Sequence, residues 1–337
     1  MESSPLQICT YFDVNYLSRG LALYQSVRRW EPDATLWVLC LDETTFEILQ
    51  ALGLPSLRLV TLREVEGRYP ELLSVKSERR LIEYYFTLTP HWPSFVLESY
   101  PRVDRLVYAD ADIRFFSSVE PVFDEMRSSS VGIVEHRFPP RHKEREVFGR
   151  FNVGTLFLRN DDNAATCMEW WRERCIEWCF DRLDGSRYAD QKYLDEWPDR
   201  FKGVRVITHQ GVGVAPWNWM IGEYDLATEP PLIDGQPLIA YHFHGLQLYG
   251  WSLFNPQLAR YGRMPPVLFE FLYRAYASEL LSLDAELRSR VADLPVARPV
   301  RQRRLARFLV GLYKRELSRA RKPDTSLQSA FHEVQDR

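Results

Sequence analysis

The chain has 337 residues, of which 45% are apolar and 14% aromatic, a composition that excludes a disordered or fibrous protein. No apolar run approaches the roughly 20 residues needed to span a bilayer, and the residues before Asp13 lack the features of a signal peptide, so we expect a cytoplasmic protein. The net charge of −3 combines a basic segment, residues 298–322, with an acidic remainder, which argues against nucleic acid as a ligand.

Short apolar runs alternate with segments of helical period in the first third of the chain. The run at residues 35–41 is almost continuously apolar, as expected of a parallel strand covered on both faces. This β-α-β-α-β order predicts an α/β fold with a mostly parallel sheet flanked by helices, whose ligands gather at the carboxyl ends of the strands. The sequence predicts strands at 6–12, 35–41, 57–61 and 105–109, and helices at 18–30 and about 77–88, the last ended by Pro90.

Two acidic residues, Asp110 and Asp112, follow directly after the predicted strand at 105–109. Carboxylates one residue apart, where a strand leaves the sheet, can both face a hard divalent cation that also holds diphosphate oxygens. The alternative is a solvated acidic turn. The small neighbours Ala109 and Ala111 favour close approach of a ligand and therefore the metal site.

Six short segments between residues 6 and 255 carry a recognisable pattern: residues 10–13 with Asn15, 84–90, 108–113, 151–154, 190–191 and 241–245. In this order they resemble the GT-A glycosyltransferases of family eight, which include glycogenin and bacterial lipooligosaccharide galactosyltransferases. The sequence looks closest to uncharacterised bacterial members. The resemblance implies a GT-A-like fold and a transferase that uses a UDP-sugar and Mn²⁺ or Mg²⁺.

The resemblance assigns Asp110, Asp112 and His242 as metal ligands, a donor set that suits Mn²⁺ better than Ca²⁺. Strand alternation places His242 and His244 on one face, so one can bind metal while the other supports it or contacts phosphate. The order of the matching segments favours His242 as the metal ligand. His244 and Gly245 would then contact the donor nucleotide.

Further residues acquire donor or sugar roles from the same resemblance. Thr10, Tyr11 and Asp13 would contact the base, with Tyr11 stacking on it and Asp13 accepting a hydrogen bond from it. Asn152 would reach the sugar or acceptor, and Gly154 would admit close backbone approach.

Asp190 and Gln191 resemble the pair that lies beside the anomeric carbon. If the reaction retains the anomeric configuration, these two side chains stabilise the transferred sugar and the leaving phosphate deprotonates the acceptor. If it inverts, a carboxylate base is needed, with Asp190 the first choice and Glu223 or Asp225 behind it.

Two departures from the family pattern concern the diphosphate. Phe86 stands where the family usually has Arg, and the segment after Gly245 lacks the family's Lys. Other groups must balance the charge of the leaving group. The candidates, which lie in or near the matching segments of the sequence, are Lys76, Arg80, His136, Arg137 and His244.

Several other residues favour structural interpretations. Cys167, Cys175 and Cys179 form a stripe along a predicted helix from Asp162, which indicates core packing and reduced thiols. His91 is expected in a turn or at the surface. His209 is expected in a loop, either lining an acceptor cleft or packing.

We expect a catalytic domain at 1–262 and a helical extension at 263–337. Within 298–322, apolar residues at helical spacing and ten Lys or Arg predict a basic amphipathic helix. Its apolar face either docks on the catalytic domain or lies on an anionic membrane near lipid-linked acceptors, which would make the protein peripheral to the membrane. The apolar positions are Leu305, Phe308, Leu309, Leu312 and Tyr313.

The sequence thus predicts a metal-dependent transferase that moves a hexose from a UDP-sugar to a glycan, lipid-linked or small-molecule acceptor. A catalytically silent sugar-binding protein and a sugar nucleotidyltransferase are the alternatives. The segment after Asp13 lacks the Gly-rich phosphate loop that the nucleotidyltransferase needs. Arg114 stands where an Asp-x-Asp phosphatase would carry Thr or Val.

Overall fold

The computed structural model describes residues 5–249 and 254–290. The strands are β1 (Gln7–Phe12), β2 (Thr35–Cys40), β3 (Leu57–Thr61), β4 (Arg105–Ala109), β5 (Ile113–Phe115), β6 (Val131–Glu135), β7 (Phe151–Arg159), β8 (Val204–Ile207), β9 (Tyr224–Asp225), β10 (Leu232–Ile233), β11 (Gln236–Pro237), β12 (Ala240–His242), β13 (Gln247–Leu248) and β14 (Phe254–Asn255). The α-helices are α1 (Leu17–Trp30), α2 (Glu43–Leu52), α3 (Leu62–Arg68), α4 (Glu71–Lys76), α5 (Leu81–Ser99), α6 (Glu120–Met126), α7 (Asp162–Glu177), α8 (Trp197–Arg200), α9 (Pro266–Phe269) and α10 (Ala275–Arg290). Short 3₁₀ helices occupy Val14–Tyr16, Pro140–Phe148, Gln191–Glu196, Trp219–Ile221 and Leu258–Arg260, and Glu270–Arg274 is a π-helical turn.

The main sheet in the described part of the chain has seven strands in the order β3-β2-β1-β4-β7-β6-β8. The strands β3, β2, β1 and β4 are parallel, β7 is antiparallel to both β4 and β6, and β8 is parallel to β6. The mostly parallel α/β sheet expected from the sequence is therefore confirmed. Because β1 and β4 are neighbours, the chain leaves the sheet after Phe12 and after Ala109 at the same edge.

Local sequence explains where most of these elements begin and end. The predicted strands and the helix at 18–30 agree with the structure to within one residue at each end. Asp42 caps α2 by accepting a hydrogen bond from the Thr45 amide at 2.7 Å, and Gly53 ends that helix in the left-handed conformation. These signals are carried by single side chains, so they can be recognised in the sequence.

The helix α5 corrects two expectations. It begins at Leu81 and continues through Pro90 and Pro93 to Ser99, so the predicted stop at Pro90 is wrong. His91, expected in a turn or at the surface, is fully buried in this helix, where its Nδ1 donates to the Thr87 carbonyl at 2.8 Å. Burial of most of the second half of α5 outweighs the hydrogen bonds lost at the prolines.

The helix α7 begins at Asp162 as predicted. Cys167 and Cys175 are buried on it, and Cys179 is buried just after it, so the interpretation as core residues is confirmed. His209 lies in a loop, also as expected, where its Nδ1 accepts a hydrogen bond from the Gly211 amide at 3.1 Å.

The region after residue 262 is helical as far as residue 290. Tyr273 and Tyr276 are fully buried in the core that also contains Tyr241 and Phe243, and the Phe243 and Tyr276 rings stack at 3.8 Å. The domain boundary at 262 stays a prediction, and the basic segment 298–322 lies outside the described residues. Among the helices described, none combines the length and apolar content needed to cross a membrane.

Candidate active site at the carboxyl end of β4

The turn between β4 and β5 positions Asp110 and Asp112. The Asp110 amide donates to the Gly154 carbonyl on β7 at 2.9 Å, and the Ile113 amide donates back to the Asp110 carbonyl at 3.0 Å. These two bonds close the turn. Asp110 has a side chain about one third exposed, whereas the Asp112 side chain is 11% exposed.

His242 reaches this turn from a distant part of the sequence. Its strand β12 pairs antiparallel with β5 so that His242 lies opposite Ile113, and the Phe243 amide donates to the Asp112 carbonyl at 2.9 Å. The His242 Nε2 lies 3.1 Å from Asp112 Oδ1 and 3.7 Å from Asp110 Oδ2. One ligand atom from each of the three residues lies within 4.8 Å of the others.

The chemistry of this cluster fits a divalent cation. Two carboxylates and an imidazole are a donor set suited to Mn²⁺ or Mg²⁺. The buried His242 Nδ1 has no hydrogen-bond partner among the described residues, so the ring is oriented by its neighbours and by the two carboxylates at Nε2. The sequence-predicted ligand set is thus brought together by the fold.

The three groups also set one another's charge. Burial alone would raise the pKa of Asp112, but His242, and then His244 and Arg19, hold that pKa at about 2. Burial raises the pKa of Asp110, an effect that His242 opposes and the nearby Asp112 increases. Asp112 is therefore a carboxylate at neutral pH.

Gly154 makes room for the cluster. A Cβ at this position would lie 2.7 Å from Asn152 Oδ1 and 2.8 Å from the His242 ring. Asn152 Oδ1 also accepts a hydrogen bond from the Gly154 amide at 3.0 Å. The close approach that the sequence suggested for Gly154 is in this structure an approach by the chain's own histidine.

Asp190 lies in the same part of the molecule, and no cationic side chain among the described residues pairs with it. It is 2% exposed, its Oδ2 has no partner in the described part of the chain, and its carbonyl accepts from Trp171 Nε1 at 2.8 Å. Burial raises its pKa to about 7, with the Thr89 hydroxyl opposing the shift and the Asp110 charge adding to it. The preceding Ala189 has a φ of 46°, so the backbone is in the left-handed region just before this carboxylate.

Gln191 has a different environment from its neighbour Asp190. It begins the 3₁₀ helix and donates from Nε2 to the Phe148 carbonyl at 3.0 Å. A Cβ on Gly149 would lie 3.0 Å from Gln191 Cγ. Gln191 therefore holds the end of the segment Pro140–Phe148 beside the start of its own 3₁₀ helix.

The three residues predicted to contact the base differ in their hydrogen-bond partners. Thr10 is fully buried and its hydroxyl has no partner among residues 5–249 and 254–290. The Tyr11 hydroxyl donates to the Tyr85 carbonyl at 3.1 Å. The Asp13 carboxylate accepts from the Asn15 amide at 3.0 Å and so caps the turn after β1.

Three of the five suggested diphosphate partners, Lys76, Arg80 and Arg137, are held by other groups. Lys76 pairs with Glu66 at 2.6 Å, and the exposed Arg80 pairs with Glu83 at 2.9 Å and Asp181 at 3.2 Å. Arg137 donates to the Gln210 and Val212 carbonyls, and burial lowers its pKa to about 10. The structure does not bring these three cations to the Asp110 turn.

Neutral aromatic groups surround the other side of His242. Burial lowers the pKa of His136 to about 3, and its Nε2 accepts a hydrogen bond from Asn152 Nδ2 at 3.3 Å. The Trp217 ring lies 5.1 Å from His136, 5.7 Å from His242 and 5.6 Å from His244. Trp217 was not singled out from the sequence, and its position among the three histidines results from the fold.

This sheet with an Asp-x-Asp turn at the end of β4 defines the GT-A fold of the glycosyltransferases. The bifunctional glycosyltransferase WbbM matches with a TM-score of 0.50 and 12% identity, over 87% of this chain and 52% of WbbM, and confirms the fold. No protein-family model matches the sequence.

Two relatives from Bacillus subtilis (strain 168) give the family. The chain is 33% identical to the uncharacterized protein YfnF over 250 residues, 71% of this chain and 81% of YfnF. It is 32% identical to the uncharacterized protein YfnD over 297 residues, 86% of this chain and 93% of YfnD. The chain belongs to the family of YfnF and YfnD, which confirms the expected similarity to uncharacterised bacterial proteins.

Proposed function

We propose that the chain is a metal-dependent glycosyltransferase that moves a hexose from a UDP-sugar to a hydroxyl of a glycan or lipid-linked acceptor. The cluster of Asp110, Asp112 and His242 at the carboxyl end of β4 carries this assignment. That edge of a parallel sheet is where ligands of α/β folds bind. A bound Mn²⁺ or Mg²⁺ would neutralise part of the donor's diphosphate charge.

The residues around the cluster have separable tasks. Asp112 stays ionised and is oriented by His242, so it is suited to hold a cation. Tyr11 and Asp13 lie at the end of β1, beside the end of β4, and are proposed to meet the base. Asp190 and Gln191 are proposed to flank the transferred sugar.

The buried Asp190 has the properties of a group that acts on the reacting carbon. Its pKa of about 7 lets it hold or release a proton near neutral pH. If the reaction inverts, it accepts the proton of the acceptor hydroxyl. If the reaction retains, the leaving phosphate accepts that proton and Asp190 acts as a carboxylate beside the anomeric carbon.

Donor binding tests this function directly. Isothermal titration calorimetry of UDP with and without Mn²⁺ is expected to show metal-dependent binding, and Asp112→Asn is expected to weaken it at least about tenfold, or 1.4 kcal/mol. Asp104→Asn is the matched control, because Asp104 is exposed and precedes β4 at the opposite end of the same strand. Equal UDP affinity in the wild type and Asp112→Asn would contradict the metal site.

The choice between the two histidines has its own test. A crystal soaked with Mn²⁺ is expected to show anomalous density bonded to His242. Density bonded to His244, or to neither histidine, contradicts the assignment of His242 as the third ligand.

A further inference from the structure

The site is rich in acids and has few cations to meet a diphosphate. The carboxylates of Asp110, Asp112 and Asp190 act on one another, since Asp112 raises the pKa of Asp110 and Asp110 raises that of Asp190. A nucleoside diphosphate would add further negative charge. Even with a divalent cation bound, a second cation near the phosphates would stabilise the leaving group.

Arg19 lies in the first turn of α1 and contacts the segment that carries His242. Its guanidinium donates to the Leu246 carbonyl at 2.8 Å, and Leu246 directly follows Gly245, whose φ is 75°. The Phe243 amide, at the other end of this segment, donates to the Asp112 carbonyl. Arg19 therefore lies at one end of a short segment whose other end forms the metal cluster.

The guanidinium retains hydrogen-bonding capacity. Among the described residues, Arg19 forms no ion pair with a carboxylate within 4.0 Å, and its side chain is only partly buried. Its Cζ lies 4.5 Å from the centre of the exposed Tyr16 ring, which orients the planar group. Arginine has five N–H donors in a fork that matches phosphate oxygens.

The surroundings of Arg19 favour an anion. The charge of Arg19 is one of those that lower the pKa of Asp112. The helix α1 has no acidic residue in its first turn and no side-chain cap at Tyr16, so its positive end adds to the guanidinium charge. The amide of Phe115, on the strand after Asp112, donates to Ser26 on the same helix at 3.2 Å, which anchors α1 beside the Asp-x-Asp turn.

We propose that Arg19 binds the diphosphate of the nucleotide donor and stabilises the charge on the departing nucleoside diphosphate. This inference rests on the proposed function and names the residue that replaces the two missing family cations. When the bond from the anomeric carbon to the β-phosphate oxygen breaks, its electron pair stays on that oxygen. The acceptor oxygen forms the new bond to carbon, and its proton passes to the leaving phosphate or to Asp190.

Calorimetry with UDP, GDP, ADP and uridine in Mn²⁺ tests this role. Arg19→Gln is expected to weaken binding of the preferred nucleoside diphosphate at least about tenfold and to leave uridine binding at the wild-type level. Arg19→Lys keeps the charge but not the fork, so an intermediate loss is expected. If Arg19→Gln does not fold, Arg19→Met, which retains the aliphatic stem, is measured in the same way.

Arg28→Gln is the matched control. Arg28 is also partly buried on α1 and also donates to a backbone carbonyl, that of Ala34 at 3.3 Å, but it lies about 14 Å along the helix axis from Arg19. Wild-type diphosphate affinity in Arg19→Gln overturns the inference, as does an equal loss for UDP and uridine, which would indicate a purely structural role. A wild-type protein that binds none of the three diphosphates contradicts the proposed function itself.

Discussion

Asp112 and Asp190 are both buried aspartates of one site, yet their environments push their charges in opposite directions. Asp112 is buried, the His242 Nε2 lies 3.1 Å from its Oδ1, and its pKa is held at about 2. Asp190 is 2% exposed and pairs with no cationic group in the described part of the chain, and its pKa rises to about 7. Burial is similar, so the difference comes from the partners. We infer that Asp112, which stays ionised, binds the cation, and that Asp190, which titrates near neutral pH, acts on the sugar.

The largest expected effect concerns Asp190→Asn. Removing a positioned acid or base is expected to lower turnover about 10²–10⁴-fold. UDP affinity in Mn²⁺ is expected to stay close to the wild-type value, because the role proposed for Asp190 is exerted mainly in the transition state. UDP release from UDP-hexoses is the measurement, with or without an added acceptor.

Asp199→Asn serves as the control for this variant, because Asp199 is exposed on α8. Unchanged turnover in Asp190→Asn would remove Asp190 from the reaction. A loss of UDP affinity as large as that of Asp112→Asn would erase the distinction between the two aspartates.

The pH dependence of stability measures the same contrast in the absence of divalent metal. The folded pKa of Asp190, about 7, lies above the unfolded value of about 3.9, so its contribution to stability is complete below about pH 4 and is lost as pH rises through 7. Relative to Asp190→Asn, the wild type is expected to lose on the order of 4 kcal/mol of unfolding free energy from about pH 4 to pH 8.

Asp112 is expected to show the opposite sign. Its folded pKa of about 2 lies below the unfolded value, so its contribution is present above about pH 4 and is lost as pH falls towards 2. Urea unfolding of the wild type and both Asn variants across this range checks both slopes. Parallel curves for the two variants would contradict the assigned environments.

A smaller effect is expected from Gly154→Ala. The added Cβ would meet Asn152 Oδ1 at 2.7 Å and the His242 ring at 2.8 Å, so both side chains must shift. We expect Mn²⁺-dependent UDP affinity to fall about tenfold, while Asp190 and its pH dependence are unaffected. Gly67→Ala is the control, since a Cβ at Gly67 on α3 meets no atom within 4 Å. Wild-type affinity in Gly154→Ala would show that the ring position is not critical.

The sequence predicted those elements whose signal lies within a few neighbouring residues, and it failed where distant parts of the chain decide the structure. The strands that precede Asp13 and Asp110 are short apolar runs, and they were predicted nearly to the residue. The course of α5 beyond Pro90 was not, because tertiary burial outweighs the local preference of proline. The long-range pairing of β12 with β5 has no local signal, and His242 was found through the family resemblance.

In the candidate site too, the residues with a local sequence signal were predicted and those positioned only by the fold were not. Asp110 and Asp112 were predicted from their position after a strand. Lys76 and Arg80 were suggested by proximity in the motifs, but the fold pairs them with Glu66, Glu83 and Asp181. Arg19 had no signal, since a single basic residue in the first turn of a helix is common, and its relation to Asp112 arises only when α1 packs beside β5.

The last comparison is between the acidic body of the chain and the basic segment 298–322. If the segment lies on a membrane, the change in melting temperature on its deletion is the smallest effect expected. If this segment lies on anionic lipid, each Lys or Arg near the surface contributes about 1 kcal/mol, and salt screens the attraction over about 8 Å at physiological ionic strength. Deletion after Leu294 should then abolish sedimentation with phosphatidylserine vesicles and leave the melting temperature close to that of the full chain. Deletion after Lys322, which keeps the segment, is the control and should still sediment.

If Leu305, Phe308 and Leu309 instead dock on the catalytic domain, burial at about 1.5–3 kcal/mol for each side chain makes the first deletion strongly destabilising. A large drop in melting temperature, with no vesicle binding by the intact protein, would reject the membrane hypothesis in favour of docking.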